Sequence, residues 1–354
     1  MIAELAAGFA VGAVLGFLLK RSGLCFTGLA YEGVFQRQGS SLVLFFMAIA
    51  VEAVIYHGLG HAGLISIPSF LPPFSLVSVG LGSLLFGVGA VLAGGCLVST
   101  LVKCGDGRVE GYAALAAFLV AGYSVSAGFA LPVTAKLRSM LVVQDALPGR
   151  LGLLPLALAL AAVAVLGLCV ARSRKQVVSL ARESQGAGPL FWLRRKAWSR
   201  ERSVVVIGVV LGAAFLVSEQ FGRSYGCAAA MPLLSWVFSI VPPDQVMGGC
   251  NPYDVVLGWG SGFVAGICFG SLLAVVASGA FRLVFPTAME LVGSVAGGLL
   301  MGCGAMWGAG CLLSNGLVGT AQFSAKSWWA LLFLMGGIWL GGVIDRWIAK
   351  GREA

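Results

Sequence analysis

Charge is scarce in this chain. Only 10% of its 354 residues are Asp, Glu, Lys or Arg, against about 25% in a typical soluble domain. Histidine is rarer still, with His57 and His61 the only two, and none of the nine cysteines stands in a C-x-x-C pair. No zinc or iron–sulfur ligand set is therefore written in the sequence, no metal or cofactor is expected, and the histidines read as interfacial residues. The Walker A pattern G-x-x-x-x-G-K-[ST] is also missing, and nothing else suggests a nucleotide-driven pump. Proline is sparse and no G-X-Y period occurs, so the 52 glycines are not those of a collagen or a low-complexity chain. They must sit inside apolar helices.

Apolar residues fill the space that charge leaves, at 59% of the chain. Apolar windows fall near residues 2–20, 41–60, 75–95, 111–131, 151–171, 203–221, 254–280, 291–310 and 328–348. Each is about 20 residues long, enough at about 1.5 Å per residue to cross a hydrocarbon core of roughly 30 Å. The expected fold is all-α: a polytopic helical membrane protein with about nine transmembrane spans. The first span does not read as a cleavable signal peptide, because Met1–Glu4 lacks a basic region and Lys20 and Arg21 lie beyond the span.

The net charge of +9 is localised. Residues 172–202 carry Arg172, Arg174, Lys175, Arg182, Arg194, Arg195, Lys196, Arg200 and Arg202 against Glu183 and Glu201. By the positive-inside rule this loop is cytoplasmic, which places the N-terminus outside and the C-terminus inside. Lys20, Arg21, Arg37, Lys103 and Arg108 agree, while Lys136, Arg138 and Arg150 dissent. The patch carries no nucleic-acid recognition motif, and topology already accounts for it.

An internal repeat organises the chain. Residues 82–99 (GSLLFGVGAVLAGGCLVS) match residues 297–314 (GGLLMGCGAMWGAGCLLS) at ten of eighteen positions without a gap, pairing Cys96 with Cys311 and Ser99 with Ser314. A second pairing sets Arg21–Cys25 (RSGLC) beside Arg223–Cys227 (RSYGC), each after the first span of its half. The reading is a first half over 1–171, made of four spans and a connecting span, the basic loop 172–202, and a second half over 203–354. The odd connecting span inverts the second half, as in inverted-repeat transporters with substrate near the midplane. Gly94-Gly95-Cys96 and Gly308-Ala309-Gly310-Cys311 end apolar segments with too few apolar residues beyond for another crossing. They read as broken or re-entrant helices, tolerated only where protein buries them or where they line a cavity. A new helix N-terminus there offers free N–H groups to an anion. For Gly87, Gly89, Gly302 and Gly304, close helix packing is an equally good reading.

Cys169 and Cys268 fall in ordinary spans and read as core residues, and Cys303 is a weaker case of the same. Cys227 and Cys250 both map to the outer side, where a disulfide is one option. Cys25, Cys96 and Cys311 stand beside breaks. A thiol is a weak, soft donor with little hydration to lose, which suits a polarisable sulfur-bearing anion better than sulfate. Arg21, Lys103 and Arg223 lie near the breaks, either as a source of electrostatic attraction or as anchors at helix ends. The candidate substrate-binding residues are thus Cys25, Cys96, Cys311, Gly94, Gly95, Gly310, Cys227, Arg21 and Lys103. Glu52, inside a span, is a candidate for ion coupling or an outer interfacial residue.

These segments resemble the YeeE/YedE family of membrane proteins. The residues concerned are Lys20-Arg21-x-x-x-Cys25-Phe26-Thr27-Gly28, Leu92-Ala93-Gly94-Gly95-Cys96 with Gly105-Asp106-Gly107, and Gly297–Gly302 continuing through Gly310-Cys311 to Asn315-Gly316-Leu317. The similarity runs from the first span to the last. It implies an hourglass-shaped inverted-repeat fold that takes up thiosulfate, passed between cysteines at a central constriction by S–H contacts to sulfur. Carried over by motif, the functional cysteines are Cys25, Cys96 and Cys311. Here Asp106 stands where the family usually has Glu, Ala309 where it has glycine, and Leu97 follows Cys96 where the selenium-linked branch has proline. The expected function is thiosulfate uptake across a bacterial inner membrane, with no enzymatic step and with a cytoplasmic sulfur carrier or sulfurtransferase as the partner class. The alternatives are another sulfur or selenium anion, or a membrane sulfurtransferase in which a Cys96 thiolate carries a persulfide.

Overall fold

In the computed structural model the described residues are 2–67, 70–146, 153–177, 199–221, 226–240, 258–279 and 281–353. Most of the basic loop, Arg223, Arg150 and Cys250 lie outside them.

The first part of the chain runs α1 (Ile2–Ser22), the short α2 (Phe26–Val34), α3 (Gly39–His61), β1 (Phe70–Ser75), α4 (Leu76–Leu92), the short α5 (Leu97–Gly105), α6 (Val109–Ser126), α7 (Leu131–Ser139) and β2 (Val142–Ala146). Helix α8 (Leu154–Val177) follows. Then come α9 (Arg200–Glu219), α10 (Ala230–Ile240), α11 (Trp259–Ala277), α12 (Ala288–Trp307), a π-helix (Leu312–Val318) closed by an α-turn (Gly319–Ala321), and α13 (Ala325–Glu353). Eight helical stretches are long and apolar enough to cross a membrane, the third being α4 and α5 taken together. The ninth expected span corresponds to α8, whose apolar stretch Leu154–Val170 is shorter.

Eight of the long helices pack in exchanged pairs. α1 lies on α11 and α3 on α9, while α4 lies on α13 and α6 on α12. α4 and α12 also touch each other. The α1–α11 contact is a seam of glycines. A Cβ on Gly8, Gly12 or Gly16 would stand 2.1, 2.1 or 2.2 Å from the carbonyl oxygens of Trp259, Phe263 and Ile267. Across the seam, Gly262, Gly266 and Gly270 face the carbonyls of Leu5, Phe9 and Ala13 at 2.1, 2.3 and 1.9 Å. Lipid tails are as apolar as side chains, so close backbone approach through small residues is what holds such helices together. Gly87, Gly89, Gly302 and Gly304 follow the packing reading, each pressed against the backbone of a neighbouring helix.

One element was not anticipated. β1 and β2 form a two-stranded antiparallel sheet with a register shift between Leu71 and Phe74, where Pro72 and Pro73 cannot donate to the ladder. Ser75 caps α4 and donates to the Leu137 carbonyl (2.9 Å), tying the sheet to α7. The dissenting charge on α7 has a structural use. Arg138 donates to the Met306 carbonyl (2.9 Å) at the end of α12, satisfying a terminal acceptor of that helix.

Candidate functional site

The two breaks share one backbone design. After α4, Gly94 and Gly95 take φ of +65° and +153°; after α12, Ala309 and Gly310 take +48° and +155°. Both close with the same bond, from the Gly95 amide to the Ala90 carbonyl (2.7 Å) and from the Gly310 amide to the Ala305 carbonyl (2.9 Å). This is the long-range bond of a left-handed helix stop. The second glycine is also fixed by space. A Cβ on Gly95 would lie 2.7 Å from Cβ of Ser99, and one on Gly310 would lie 2.6 Å from Oγ of Ser314.

Each break aims a cysteine. Cys96 is the N-cap of α5 and Cys311 the N-cap of the π-helix. Cys25 is the N-cap of α2, its Sγ accepting from the Gly28 amide at 3.4 Å, whereas the Cys96 side chain makes no capping bond. All three thiols therefore sit at the start of a short helix, where unsatisfied N–H groups and the positive end of the helix dipole point. Ser99 joins two of them, with its Oγ 3.1 Å from Sγ of Cys25 and 3.7 Å from Sγ of Cys96. Its repeat counterpart Ser314 donates to the Cys311 carbonyl (3.3 Å) and to Sγ of Cys311 (3.6 Å) and accepts from the Cys311 amide (2.8 Å). Both Cys25 and Cys311 lie within electrostatic reach of Cys96. Cys96 and Cys311 are buried, and Cys25 is partly exposed. Both serines stand in the repeat match, but the sequence gives them no role in a site, because a lone serine in an apolar helix reads as an ordinary packed residue.

A small apolar cavity meets Cys96, lined also by Leu15, Leu19, Phe26, Leu312, Leu313 and others. Its volume of about 10 Å³ is at the lower limit for one water. An anion larger than water does not fit there unless these apolar side chains move.

The remaining sequence candidates separate. Arg21 is buried at the end of α1 with its guanidinium over the Phe17 ring (5.4 Å to the centroid), and its Nε has no hydrogen-bond acceptor among the described residues. Lys103 does not stand free. Its Nζ donates to the Ala93 carbonyl at the end of α4 (2.9 Å) and pairs with Glu110 (3.1 Å). It clamps the break from the far end of α5. Lys20 pairs with Asp106. Cys227 is buried within electrostatic reach of Glu52 and takes no part in the Cys25–Ser99–Cys96 chain. His57 is buried against Tyr56 and Phe323, so of the two histidines only His61 is exposed, as an interfacial residue would be. No cluster of metal-ligating side chains occurs among the described residues.

A bundle of apolar spans broken at two repeat-related points, with thiols and backbone amides gathered at the breaks, defines a polytopic membrane transport protein. Comparison with known sequences narrows this class. The profile of the family described as "Sulphur transport" matches residues 21–340, and the chain belongs to that family. The resemblance to the YeeE/YedE family read from its Gly-Cys motifs holds. The chain is similar to the thiosulfate transporter TsuA of Escherichia coli K12, 28% identical over 96% of this chain and 94% of the relative. It is also similar to the thiosulfate transporter TsuA of Spirochaeta thermophila, 25% identical over 94% of this chain and 96% of the relative.

Proposed function

We propose that this chain carries thiosulfate inward across a bacterial inner membrane, handing the anion between Cys25, Cys96 and Cys311 without covalent chemistry. The observation that carries this reading is the placement of three thiols as N-caps of short helices, two of them bridged by Ser99. A thiosulfate sulfur is large and polarisable, and a thiol loses little hydration on meeting it. The helix starts and Arg21 supply positive potential. Gly94, Gly95 and Gly310 serve by shaping the breaks, and Lys103 by clamping one of them. The names of the two relatives support the choice of thiosulfate.

The halves 1–171 and 203–354 are read as an inverted repeat joined by the basic loop 172–202, with the N-terminus outside and the C-terminus cytoplasmic. Exchanged packing supports this, since α1 on α11 mirrors α9 on α3, and α4 on α13 mirrors α12 on α6. Inward movement of a dianion against an inside-negative potential costs about 2.3 kcal/mol per charge per 100 mV, or roughly 4.6 kcal/mol in all. Flux is sustained by a coupled ion or by consumption of thiosulfate by a cytoplasmic sulfur carrier or sulfurtransferase.

The test is uptake of sulfur-labelled thiosulfate into cells lacking their own importer, with wild type, Cys96→Ser and Cys311→Ser at matched membrane levels. Wild type accumulates label, and each variant loses about tenfold or more, equivalent to one contact of about 1.4 kcal/mol. Full uptake by both variants would overturn the thiol pathway. No uptake by inserted wild type would overturn the substrate. A persulfide adduct on Cys96 in the intact mass during uptake would favour the sulfurtransferase instead.

A further inference from the structure

Glu52 is the fourteenth residue of the 23-residue α3, well inside the span, and is 0% exposed. Neither carboxyl oxygen has a hydrogen-bond partner among the described residues. A carboxylate with no partner in such a place is strongly disfavoured, and an ionisable residue held there needs a reason.

Its surroundings contain little that competes. On α3 itself the nearest ionisable groups are Tyr56 and His57, one turn on, with His61 at the end. α9 packs along α3 and carries its ionisable residues only at its ends, Arg200, Glu201 and Arg202 at one and Glu219 at the other. Glu219 bonds the Ser66 amide (3.2 Å). α2 brings Tyr31 and Glu32, and Glu32 is tied to Ser41 and Arg200 at the start of α3. The described side chains of α8 include one ionisable group, the exposed Cys169. The π-helix that follows Cys311 also packs on α3 and carries none. Cys227, the repeat counterpart of Cys25, lies within electrostatic reach of Glu52.

We propose that Glu52 is a proton-binding site through which passage of the anion is coupled to movement of a proton. This rests on the reading of the chain as a thiosulfate carrier. A dianion near the Cys227 position repels an ionised Glu52 and holds the carboxyl in its protonated form, and a protonated Glu52 in turn favours the anion. The two effects are one coupling energy seen from two sides. Only an O–H bond forms and breaks: the carboxyl takes a proton from water on one side of the membrane and gives it to water on the other, in step with the anion. α3 packs on the π-helix behind Cys311 and holds Glu52 within electrostatic reach of Cys227, so one helix senses both parts of the path.

The experiment uses the purified full chain in vesicles, with two readouts. Exchange of labelled for unlabelled thiosulfate reports the pathway with no driving force. Accumulation under an imposed pH gradient, with an internal pH dye, reports coupling. Wild type is expected to exchange thiosulfate, to accumulate it under the gradient and to acidify the lumen in a thiosulfate-dependent way. Glu52→Gln is expected to keep exchange and lose both accumulation and acidification. Exchange by wild type with no proton movement, or proton movement retained in Glu52→Gln, overturns the proposal. Absence of exchange in wild type overturns the thiosulfate reading itself. If Glu52→Gln does not insert, labelling of the wild-type protein by a carbodiimide decides the matter. A Glu52 adduct that forms faster at acidic pH, and faster in the presence of thiosulfate, supports the site, and no adduct at any pH, or a rate that thiosulfate does not raise, overturns it.

Discussion

Ala309 holds a left-handed backbone that its repeat counterpart leaves to Gly94, at φ +48° against +65°. For a residue with a Cβ this conformation costs about 1–2 kcal/mol, offset in part by the smaller chain entropy that alanine loses on folding. Ala309→Gly is therefore expected to stabilise the protein by a net of roughly 0.5–1 kcal/mol, seen as a higher unfolding temperature in detergent. A lower temperature would mean that the methyl group packs usefully. At this scale the sequence was informative where chemistry and repeat coincided. Cys96 and Cys311 were legible because each follows glycine at the end of an apolar run in a matched segment. Ser99 stood in that match without a legible role, since its value comes from Cys25 being 3.1 Å away across 74 positions of chain, a juxtaposition of the start of α2 with the first turn of α5 that only the tertiary fold makes.

α5 is a nine-residue helix held from its last turn. Cys96 stands at its N-cap position without a side-chain capping bond, and Lys103 reaches back from the last turn to the Ala93 carbonyl while pairing with Glu110 of α6. From sequence, Lys103 was a cation beside a break and so a candidate for attracting the anion. Its engagement depends on α6 turning Glu110 towards it, which no local periodicity reveals. Lys103→Met is expected to destabilise the protein by about 2 kcal/mol, the scale of a charge-assisted hydrogen bond and its orphaned acceptor. Thermal unfolding measures this. The dependence of uptake on thiosulfate concentration should change little, and a large fall in apparent affinity would return Lys103 to the anion path. The spans were legible because their length and apolarity are required by the bilayer. The β1–β2 pair was not, because Phe70–Ser75 contains two prolines and reads as the flank of a span.

Across the whole molecule, eight spans were legible as apolar runs, whereas the partners of each span were not. Pairing is decided by backbone carbonyls meeting glycines on another helix, and the repeat of four along α1 (Gly8, Gly12, Gly16) names no partner until α11 is beside it. That seam has a consequence for the membrane around the protein. Two helices whose backbones touch at six glycines have no room to slide or rock against each other, so opening of the closed cavity falls to the side chains and single turns near the breaks. The protein then displaces a nearly constant volume of bilayer throughout its cycle. Turnover is expected to be almost indifferent to host acyl-chain length and lateral pressure, which thiosulfate exchange in vesicles of graded lipid thickness would measure. A steep optimum in thickness would reveal that the seam slides after all.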